Sequence, residues 1–260
     1  MTVDPGLPAA GSTVLVHGLG RFGGGREATR HLVRLGCNVR VCDGSSSDEL
    51  LAVQASFGPA IKATATAGSI DWQLGREDLA LLDDVDLVVT SPAVPDHNPL
   101  RQEALARGIP CTQECELFLA AYPGRVVAIT GTNGKSSTAT LLHRALVASG
   151  LDSLLGGNIG HSLLADVADW RPDQIAVLEV SSFQLERLAA HHRVHGAVFT
   201  RMGSDHLDRH GSLANYHAAK ARLAGAATEF VLHPNDDPVA NAFATDAARR
   251  GYFSTDVPGP

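Results

Sequence analysis

The sequence lacks long apolar runs, an excess of positive charge and a signal peptide, and each absence removes a class of protein. No stretch approaches the roughly 20 apolar residues that a membrane-spanning helix needs, so we expect no membrane association. Residues 1–12 carry neither a basic nor an apolar signal-peptide region, which predicts a cytoplasmic protein. The net charge is −7 and the basic residues are scattered, which excludes a nucleic-acid-binding surface.

The four cysteines favour free thiols over a metal site. No two of them form a C-x-x-C pair, and no second cluster of ligands accompanies Cys111 and Cys115. Cysteine-based zinc sites have such pairs. Together with Cys37 and Cys42, these residues are typical of reduced thiols in the cytosol.

Short apolar runs alternate with helix-compatible segments along the 260 residues, 44% of which are hydrophobic. This alternation predicts an α/β protein with parallel sheets and crossover helices. A chain of this length favours two domains, and Pro123-Gly124 has the composition of a joint between them. We therefore expect one domain over residues 1–122 and a second over residues 123–260.

Several strands can be placed from the apolar runs. They are predicted at Val14–Val16, Val39–Cys42, Leu87–Val89, Val126–Ile129, Ile175–Leu178, Ala197–Phe199 and Phe230–Leu232. Helices are predicted from Gly24 to Leu35 and from Lys135 to about Ser149. The tail from Tyr252 to Pro260 contains glycine and prolines, so we do not expect it to end a packed element.

The first candidate site is a glycine turn after the first strand. Gly18-Leu19-Gly20-Arg21-Phe22-Gly23 fits the pattern G-x-G-x-x-G, in which glycines let the backbone approach a phosphate at a helix N-terminus. Asp43 ends the next strand, where it could accept hydrogen bonds from a ribose or a base. The motif alone leaves open a nucleotide site, the NAD site of an oxidoreductase, or a purely structural turn.

The second candidate site is a phosphate loop that joins a strand to a helix. Its residues are Gly131, Thr132, Asn133, Gly134, Lys135, Ser136 and Ser137. Gly131 and Gly134 free backbone N–H groups to face phosphate oxygens, Lys135 supplies positive charge, and Ser136 can ligate Mg²⁺. The strict pattern G-x-x-x-x-G-K-[ST] would have glycine where this chain has Ile129. A hydride-transfer enzyme has no need of such a loop, which argues against the oxidoreductase.

Further along the chain, three more residues are candidates for the phosphate site. Glu179 follows a predicted strand, where a carboxylate faces the crevice of a parallel sheet and could hold Mg²⁺. The alternatives are a carboxylate at a helix N-terminus or a solvated acid. His206 could ligate a metal or orient a phosphate, or be a surface histidine. Lys220 lies four residues after Tyr216 on a predicted helix, and a lysine there is ordinarily a solvated amine.

Together these residues resemble the Mur ligases, a family of bacterial cell-wall ligases. The resemblance covers nearly the whole chain and rests on Gly18–Gly23, Ser91-Pro92, Thr130–Ser137, Gly156–Gly160, Glu179–Glu186, Asp205–His210 and Tyr216–Lys220. The segment Glu179–Glu186 is similar to the branch that adds D-glutamate to UDP-N-acetylmuramoyl-L-alanine in peptidoglycan precursor synthesis.

The resemblance implies a fold and a role for each site residue. It implies a Rossmann-like N-terminal domain that binds UDP, followed by a P-loop-type α/β central domain that binds ATP. Gly20, Arg21, Asp43 and Ser91 would bind the UDP, and Asn158, Ser181 and Gln184 the muramoyl-alanine part. Lys135 would bind ATP phosphates, Ser136 and Glu179 one Mg²⁺, and His206 with a carbamylated Lys220 a second.

The chain departs from the family pattern in two positions and in length. Ala93 and Arg201 stand where the family has glycine and asparagine. A cation at Arg201 would repel Mg²⁺ unless the side chain points away. The family also has a third domain that binds D-glutamate, which these 260 residues do not include, so we expect a shortened form. The resemblance implies a monomer with ATP and Mg²⁺ as cofactors; the alternative is a non-catalytic nucleotide or UDP-sugar binding module.

Overall fold

The computed structural model describes residues 7–19, 23–57, 68–243, 245 and 249–254. Within these residues the chain divides into two compact units. The first unit runs to Ala121 and also takes Leu164–Val167, and the second contains the remaining described residues.

The first unit is a five-stranded parallel sheet with helices between the strands. Its elements are β1 (Thr13–His17), α1 (Gly24–Arg34), β2 (Asn38–Asp43), α2 (Asp48–Ala55), β3 (Ile70–Leu74), β4 (Leu87–Thr90), α3 (Pro99–Ala106), β5 (Cys111–Thr112) and α4 (Glu114–Ala121). The strand order is β3-β2-β1-β4-β5, with every neighbouring pair parallel. The order reverses between β1 and β4, which is where sheets of this kind open a crevice for ligands.

The second unit is a six-stranded parallel sheet. Its elements are β6 (Arg125–Thr130), α5 (Lys135–Ala148), β7 (Ser153–Gly157), β8 (Ile175–Glu179), α6 (Ser182–Arg187), β9 (Val194–Phe199), α7 (Leu207–His210), α8 (Leu213–Ala226), β10 (Ala227–Pro234), α9 (Pro238–Asn241) and β11 (Arg249–Phe253). The strand order is β11-β10-β9-β6-β8-β7. Because β6 lies between β8 and β9, the segments that follow these three strands meet at one edge of the sheet.

Burial on both faces explains why the apolar runs form central strands. Val14, Leu15 and Val16 of β1 are buried, and a strand covered on both sides needs a continuous apolar run rather than alternation. In the first unit Leu15 packs with Cys42 and Val88 in one core cluster. In the second unit Ile129 of β6 packs with neighbours on β8, β9 and α5. The predicted α/β class with parallel sheets is therefore confirmed.

The sequence failed to predict the short and outer strands. β3, β5, β7 and β11 have no counterpart among the predicted runs. The expectation for the tail is wrong at Tyr252 and Phe253, which lie in β11 and pair with β10. β7 and β11 are partly exposed and contain glycine, and β11 also contains arginine, so they lack the apolar run that marks a central strand. No helix among the described residues is both long and apolar enough to cross a membrane.

Candidate functional site

Two glycines shape the loop between β6 and α5. Gly131 has φ 147° and Gly134, which caps α5, has φ 84°. A Cβ added at Gly131 would lie 1.8 Å from Oγ1 of Thr200, so no side chain fits there. The loop therefore follows a path that glycine permits, and it ends at the N-terminus of α5, where backbone N–H groups and the helix dipole attract anions.

Thr132 anchors the loop to the segments that follow β9. Its Oγ1 accepts the Gly203 N–H at 2.8 Å and lies 3.0 Å from the Tyr216 hydroxyl. Its own N–H donates to the Arg201 carbonyl at 3.0 Å. The Thr132 side chain thus fixes the conformation of the loop through its contacts with Gly203 and Tyr216. The sequence placed Tyr216 on a helix but did not predict this anchoring role.

Lys135, the first residue of α5, folds back over the loop. Its Nζ donates to the carbonyl oxygens of Gly131 and Thr132 at 3.1 and 2.8 Å. The side chain is half-buried, whereas Asn133, Ser136 and Ser137 beside it are exposed. Within the described part of the chain this ammonium bonds to two neutral carbonyls, so it is available to a stronger anionic partner, because hydrogen bonds between charged groups are the stronger ones.

Ser136 and Glu179 meet at the carboxyl end of the sheet. Glu179, at the end of β8, is 2% exposed. Its Oε2 accepts the Ser136 hydroxyl at 2.7 Å, and its Oε1 accepts the Asn158 amide at 2.9 Å. Two predicted metal ligands are therefore brought together, and Asn158 is placed beside them. The alternative of a solvated acid is wrong for Glu179.

The oxygen atoms at this point fit a magnesium ion. Mg²⁺ prefers hard oxygen ligands and usually takes only one or two from the protein, with water and phosphate supplying the rest. The Ser136 hydroxyl and the Glu179 carboxylate match that pattern. Among the described residues, no group of three or more histidine, cysteine, aspartate and glutamate side chains could hold a metal. These residues therefore fit an Mg²⁺ ion that is also bound by phosphate, and they do not form a complete metal site made of protein ligands alone.

Lys220 of α8 is a buried amine beside the same loop. It is 1% exposed, and its Nζ donates to the Gly131 carbonyl at 2.8 Å and to Oγ1 of Thr130 at 3.3 Å. Burial, with a smaller contribution from the charge of Lys135, lowers the pKa of Lys220 to about 7, while Asp205 and Glu179 act in the opposite direction. The alternative of a solvated surface lysine is therefore wrong.

His206 stands apart from the other predicted metal ligands. Its side chain is half exposed, and it caps α7 with a left-handed backbone. The ring lies 4.8 Å from the Phe183 ring, centroid to centroid. No hydrogen bond joins it to Lys220 or Glu179, all three of which the structure describes. Its predicted role as a metal ligand stays a prediction.

Two neighbours of His206 were missed in the sequence. The Phe183 ring contacts His206, stacks on His210 at 5.3 Å, and lies 4.0 Å under the Arg209 guanidinium. The buried His210 ring meets the Ser182 hydroxyl at 3.0 Å, and burial lowers its pKa. The four-residue spacing between His206, which caps α7, and His210, which ends it, is the signal that could have found this cluster.

Ser181 and Gln184 bond to each other at the start of α6. The Gln184 N–H donates to the Ser181 hydroxyl at 3.3 Å, and the Gln184 side-chain oxygen accepts the Ser181 N–H at 2.9 Å. This reciprocal pair is a capping box, which satisfies N–H groups that a helix start leaves free. The structure thus gives both residues a local role, and their predicted contact with substrate stays a prediction.

Arg201 is paired with a carboxylate. Its side chain is more than half exposed and donates to Asp236 at 2.6 Å. The hydrogen bond from Arg201 lowers the pKa of Asp236, which keeps that partner ionised. The guanidinium is directed at Asp236, so the repulsion expected from an uncompensated cation is offset.

The first unit brings together three of its predicted site segments. The Leu19 N–H donates to Oδ2 of Asp43 at 3.0 Å, and the Ser91 N–H donates to the His17 carbonyl at 2.9 Å. Gly18 approaches Ser91 so closely that an added Cβ would lie 3.0 Å from the Ser91 Cβ. Gly18, Leu19, Asp43 and Ser91 therefore share the carboxyl edge of this sheet. Gly20 and Arg21 lie outside the described residues.

These features define a class of protein before any comparison. A parallel sheet whose central strand runs through a glycine loop into a helix, with a buried acid at the end of the neighbouring strand, is a P-loop-type α/β fold. Residues 129–256 match the Mur ligase middle domain, so this segment of the chain is similar to that family.

Relatives with curated names extend the match to nearly the whole chain. UDP-N-acetylmuramoylalanine–D-glutamate ligase of Pelotomaculum thermopropionicum is 38% identical over 92% of this chain and 51% of its own length. The enzyme of the same name from Anaeromyxobacter dehalogenans is 41% identical over 94% of this chain and 50% of its own length. The resemblance to the Mur ligases is confirmed. The chain spans about half the length of the curated relatives it matches.

Solved structures agree on the fold. The UDP-N-acetylmuramate:L-alanyl-gamma-D-glutamyl-meso-diaminopimelate ligase from Neisseria meningitides superposes with a TM-score of 0.60 at 20% identity. The match covers 89% of this chain and 74% of that one. At this identity the match supports the shared architecture of parallel sheets and does not bear on substrate.

Proposed function

We propose that this chain carries the UDP-sugar-binding and ATP-binding parts of a ligase that adds D-glutamate to UDP-N-acetylmuramoyl-L-alanine. One observation carries the proposal: the Ser136 hydroxyl, at the start of a glycine-loop helix, meets the buried Glu179 carboxylate at 2.7 Å. This pairing of a glycine loop with a buried acid occurs in a chain 38% identical to a named D-glutamate ligase. The product class is a peptidoglycan precursor.

ATP would bind with its phosphates on the loop from Gly131 to Ser136. The glycines expose backbone N–H groups, and the N-terminus of α5 adds its dipole. Lys135 would leave the carbonyls of Gly131 and Thr132 for the β- and γ-phosphates. A charged partner is the stronger hydrogen-bond acceptor, so the exchange favours the bound nucleotide.

Magnesium would be held beside the phosphates by Ser136 and Glu179. When bound, the ion neutralises phosphate charge as the nucleophile approaches. Lys220 is proposed to react with CO₂: the neutral amine nitrogen bonds to the carbon, a proton is released, and an anionic carbamate results. Deep burial and the nearby charge of Lys135 favour that neutral amine. The carbamate and His206 are proposed to hold a second Mg²⁺.

The reaction would begin at the alanyl carboxylate of the UDP-sugar. A carboxylate oxygen bonds to the γ-phosphorus as the bond to ADP breaks, which gives an acyl phosphate. The amine of D-glutamate then bonds to the acyl carbon, phosphate leaves and the amine loses a proton. The chain's own task is to position two anions and offset their repulsion through Lys135 and the loop N–H groups.

The first unit would hold the UDP group at the edge where β1 and β4 part. The Gly18 turn, Asp43 and Ser91 already lie together there, and the helix N-terminus that follows suits a diphosphate. Asn158, Ser181 and Gln184 are proposed to contact the muramoyl-alanine part.

A second candidate function is a binding module without ligation. The observation that favours it is Arg201, a cation bonded to Asp236 at a position where the Mur ligases have asparagine. Such a module would bind the UDP-sugar or the nucleotide and release no ADP, even with D-glutamate present.

Calorimetry and ADP release separate the two candidates. The proposed ligase part binds both UDP-N-acetylmuramoyl-L-alanine and Mg-ATP, and it forms ADP when both substrates are combined with D-glutamate. Binding of both ligands without ADP formation favours the module. A chain that binds neither ligand contradicts both functions.

A further inference from the structure

The carboxylate of Glu77 joins three segments at the carboxyl edge of the first sheet. Its Oε1 lies 3.0 Å from Nε2 of His17, the last residue of β1. Its Oε2 accepts the side-chain amide of Asn98, which caps α3, at 2.9 Å. Gly44, which follows β2, lies beside the same carboxylate, because a Cβ added at Gly44 would lie 3.4 Å from Oε1 of Glu77. No sequence motif singled out Glu77.

His17 is the buried end of this arrangement. Its side chain is fully buried, although it ends a strand at the open edge of a sheet. The residue directly precedes Gly18, and its carbonyl accepts the Ser91 N–H at 2.9 Å. A bond from His17 to Glu77 therefore fixes the starting point of the glycine turn relative to the Ser91 segment.

The charges in this cluster favour one protonation state. Burial lowers the pKa of His17, against the raising effect of Glu77 and Asp43, and Arg101 lowers it further. Burial alone raises the pKa of Glu77, but hydrogen bonds from Asn98 and His17 outweigh burial and lower it. The pair is thus a neutral imidazole that donates from Nε2 to an ionised carboxylate. Nδ1 of His17 has no hydrogen-bond partner within the described part of the chain.

The segments tied by Glu77 are those that carry the predicted UDP contacts. Gly44 directly follows Asp43, whose carboxylate accepts the Leu19 N–H at 3.0 Å and the Ser45 N–H at 3.0 Å. The Gly75 N–H closes the same turn on the Asp43 carbonyl at 2.8 Å. The Glu77 carboxylate contacts both His17, which precedes the glycine turn, and Gly44 in the Asp43 turn. It therefore sets the distance between these two turns.

We propose that Glu77, held by His17 and Asn98, is a positioning residue for the uridine diphosphate group of the substrate. The inference rests on the proposed function, because it assigns that group to the first unit. Glu77 keeps the Gly18 and Asp43 turns at the spacing that the nucleotide needs, so the free protein does not have to order them on binding. Preorganisation of this kind raises affinity without adding a contact.

Glu77→Gln tests the proposal with the smallest change of shape. Glutamine offers one acceptor oxygen, and its NH₂ group must face one of the donors that now bond to Glu77. We expect faster hydrogen exchange at the Leu19 N–H, which donates to the Asp43 carboxylate, and binding of UDP-N-acetylmuramoyl-L-alanine weakened on the order of tenfold. Mg-ATP affinity, which the second unit provides, should stay within twofold of wild type and so reports that the variant is folded.

Two further variants complete the experiment. Glu103→Gln makes the same chemical change at a partly exposed carboxylate that pairs with Arg107 on α3, and it should match wild type in both measurements. His17→Leu removes the donor but keeps an apolar side chain in the buried position, and it should weaken UDP-sugar binding in the same direction. If Glu77→Gln also lowers Mg-ATP affinity, that variant is not correctly folded, and His17→Leu then tests the proposal in its place.

The outcomes separate this inference from the proposed function. A wild-type chain that does not bind the UDP-sugar contradicts both the inference and the proposed function. A wild-type chain that binds it, with Glu77→Gln and His17→Leu binding equally well and exchange at the Leu19 N–H unchanged, contradicts the inference alone. Weakened binding in both variants, with Mg-ATP affinity retained and Glu103→Gln unaffected, supports it.

Discussion

The Ser136 hydroxyl donates to the Glu179 carboxylate at 2.7 Å, so the first turn of α5 is joined to the end of β8. These residues are 43 positions apart in the sequence, and neither has a role in the apolar core. Their meeting depends on β6 and β8 being parallel neighbours. The sheet thus places the candidate phosphate loop and the candidate metal ligand Glu179 next to each other.

Replacing the acid should impair nucleotide binding only when metal is present. Glu179→Gln keeps the size of the side chain but removes the charge that offsets Mg²⁺. We expect Mg-ATP affinity to fall on the order of tenfold or more, since a charged ligand interaction contributes about 1.5–3 kcal/mol. ATP affinity in EDTA should be the same for variant and wild type. Calorimetry under both conditions checks this, and an equal loss in EDTA would argue against a metal role.

Removing the loop ammonium should impair binding with or without metal. Lys135→Ala deletes the cation that bonds to the Gly131 and Thr132 carbonyls in the free protein. We expect ATP affinity to drop at least tenfold. Arg144→Ala, an exposed cation further along α5, is the matched control and should bind ATP as wild type does. Equal affinities for all three proteins would refute the role of Lys135.

A methyl group at Gly131 should cost stability as well as binding. In Gly131→Ala the new Cβ would sit 1.8 Å from Oγ1 of Thr200, so β6, β9 or the loop must move. Overpacking of this kind costs roughly 1–3 kcal/mol. Gly150→Ala is a control with positive φ and no atom within 4 Å of the added Cβ, so only backbone strain of about 1 kcal/mol applies. Urea unfolding of both variants measures the difference, and equal losses would contradict the close approach.

The parts of this fold that follow from local pattern could be predicted. β1, β6 and β8 contain the unbroken apolar runs Val14–Val16, Val126–Ile129 and Ile175–Leu178, and buried parallel strands require such runs. The phosphate loop has its signature within nine consecutive residues, from Ile129 to Ser137. Local pattern therefore identified the central strands and the centre of the second unit.

The parts that depend on distant partners could not be predicted. His17 and Glu77 are 60 positions apart, and a lone histidine and glutamate give no signal until the sheet places them together. Likewise, the sequence does not predict that Lys220 is buried against Gly131, because its burial depends on how α8 packs beside the loop. β7 and β11 are outer strands whose partial exposure weakens the apolar pattern.

The buried His31 of α1 should make the first unit sensitive to acid. Burial, helped by the charge of Arg34, lowers the pKa of His31 from 6.5 to about 4. Between these values the unfolded chain takes up a proton that the folded chain does not, so stability falls as pH drops from about 6.5 to 4. The loss should reach about 2 kcal/mol by pH 5, at about 1.4 kcal/mol per pH unit.

His31→Leu should flatten this pH dependence. Leucine cannot take up a proton in either state, so the difference in unfolding free energy between pH 7 and pH 5 should shrink. His97→Leu, at an exposed position of the same unit, is the control and should keep the wild-type difference. Urea unfolding at the two pH values gives the comparison, and an undiminished acid loss in His31→Leu would contradict this account.

A carbamate on Lys220 can be observed directly. In ¹³C-bicarbonate the wild-type chain should show a carbamate resonance that Lys220→Arg lacks, because a guanidinium offers no neutral amine to CO₂. A resonance of equal intensity in both proteins would place the carbamate on another amine. Its absence in wild type would remove Lys220 from the proposed metal ligands.

The central claim is that the segment from Gly131 to Ser136 binds the phosphates of ATP. The most direct measurement is a crystal structure of the chain with Mg²⁺ and a non-hydrolysable ATP analogue. We predict that the phosphates lie against the backbone N–H groups of this loop, with Lys135 Nζ moved from the carbonyls of Gly131 and Thr132 to a phosphate oxygen. An analogue bound elsewhere, with Lys135 still on those carbonyls, would contradict the claim.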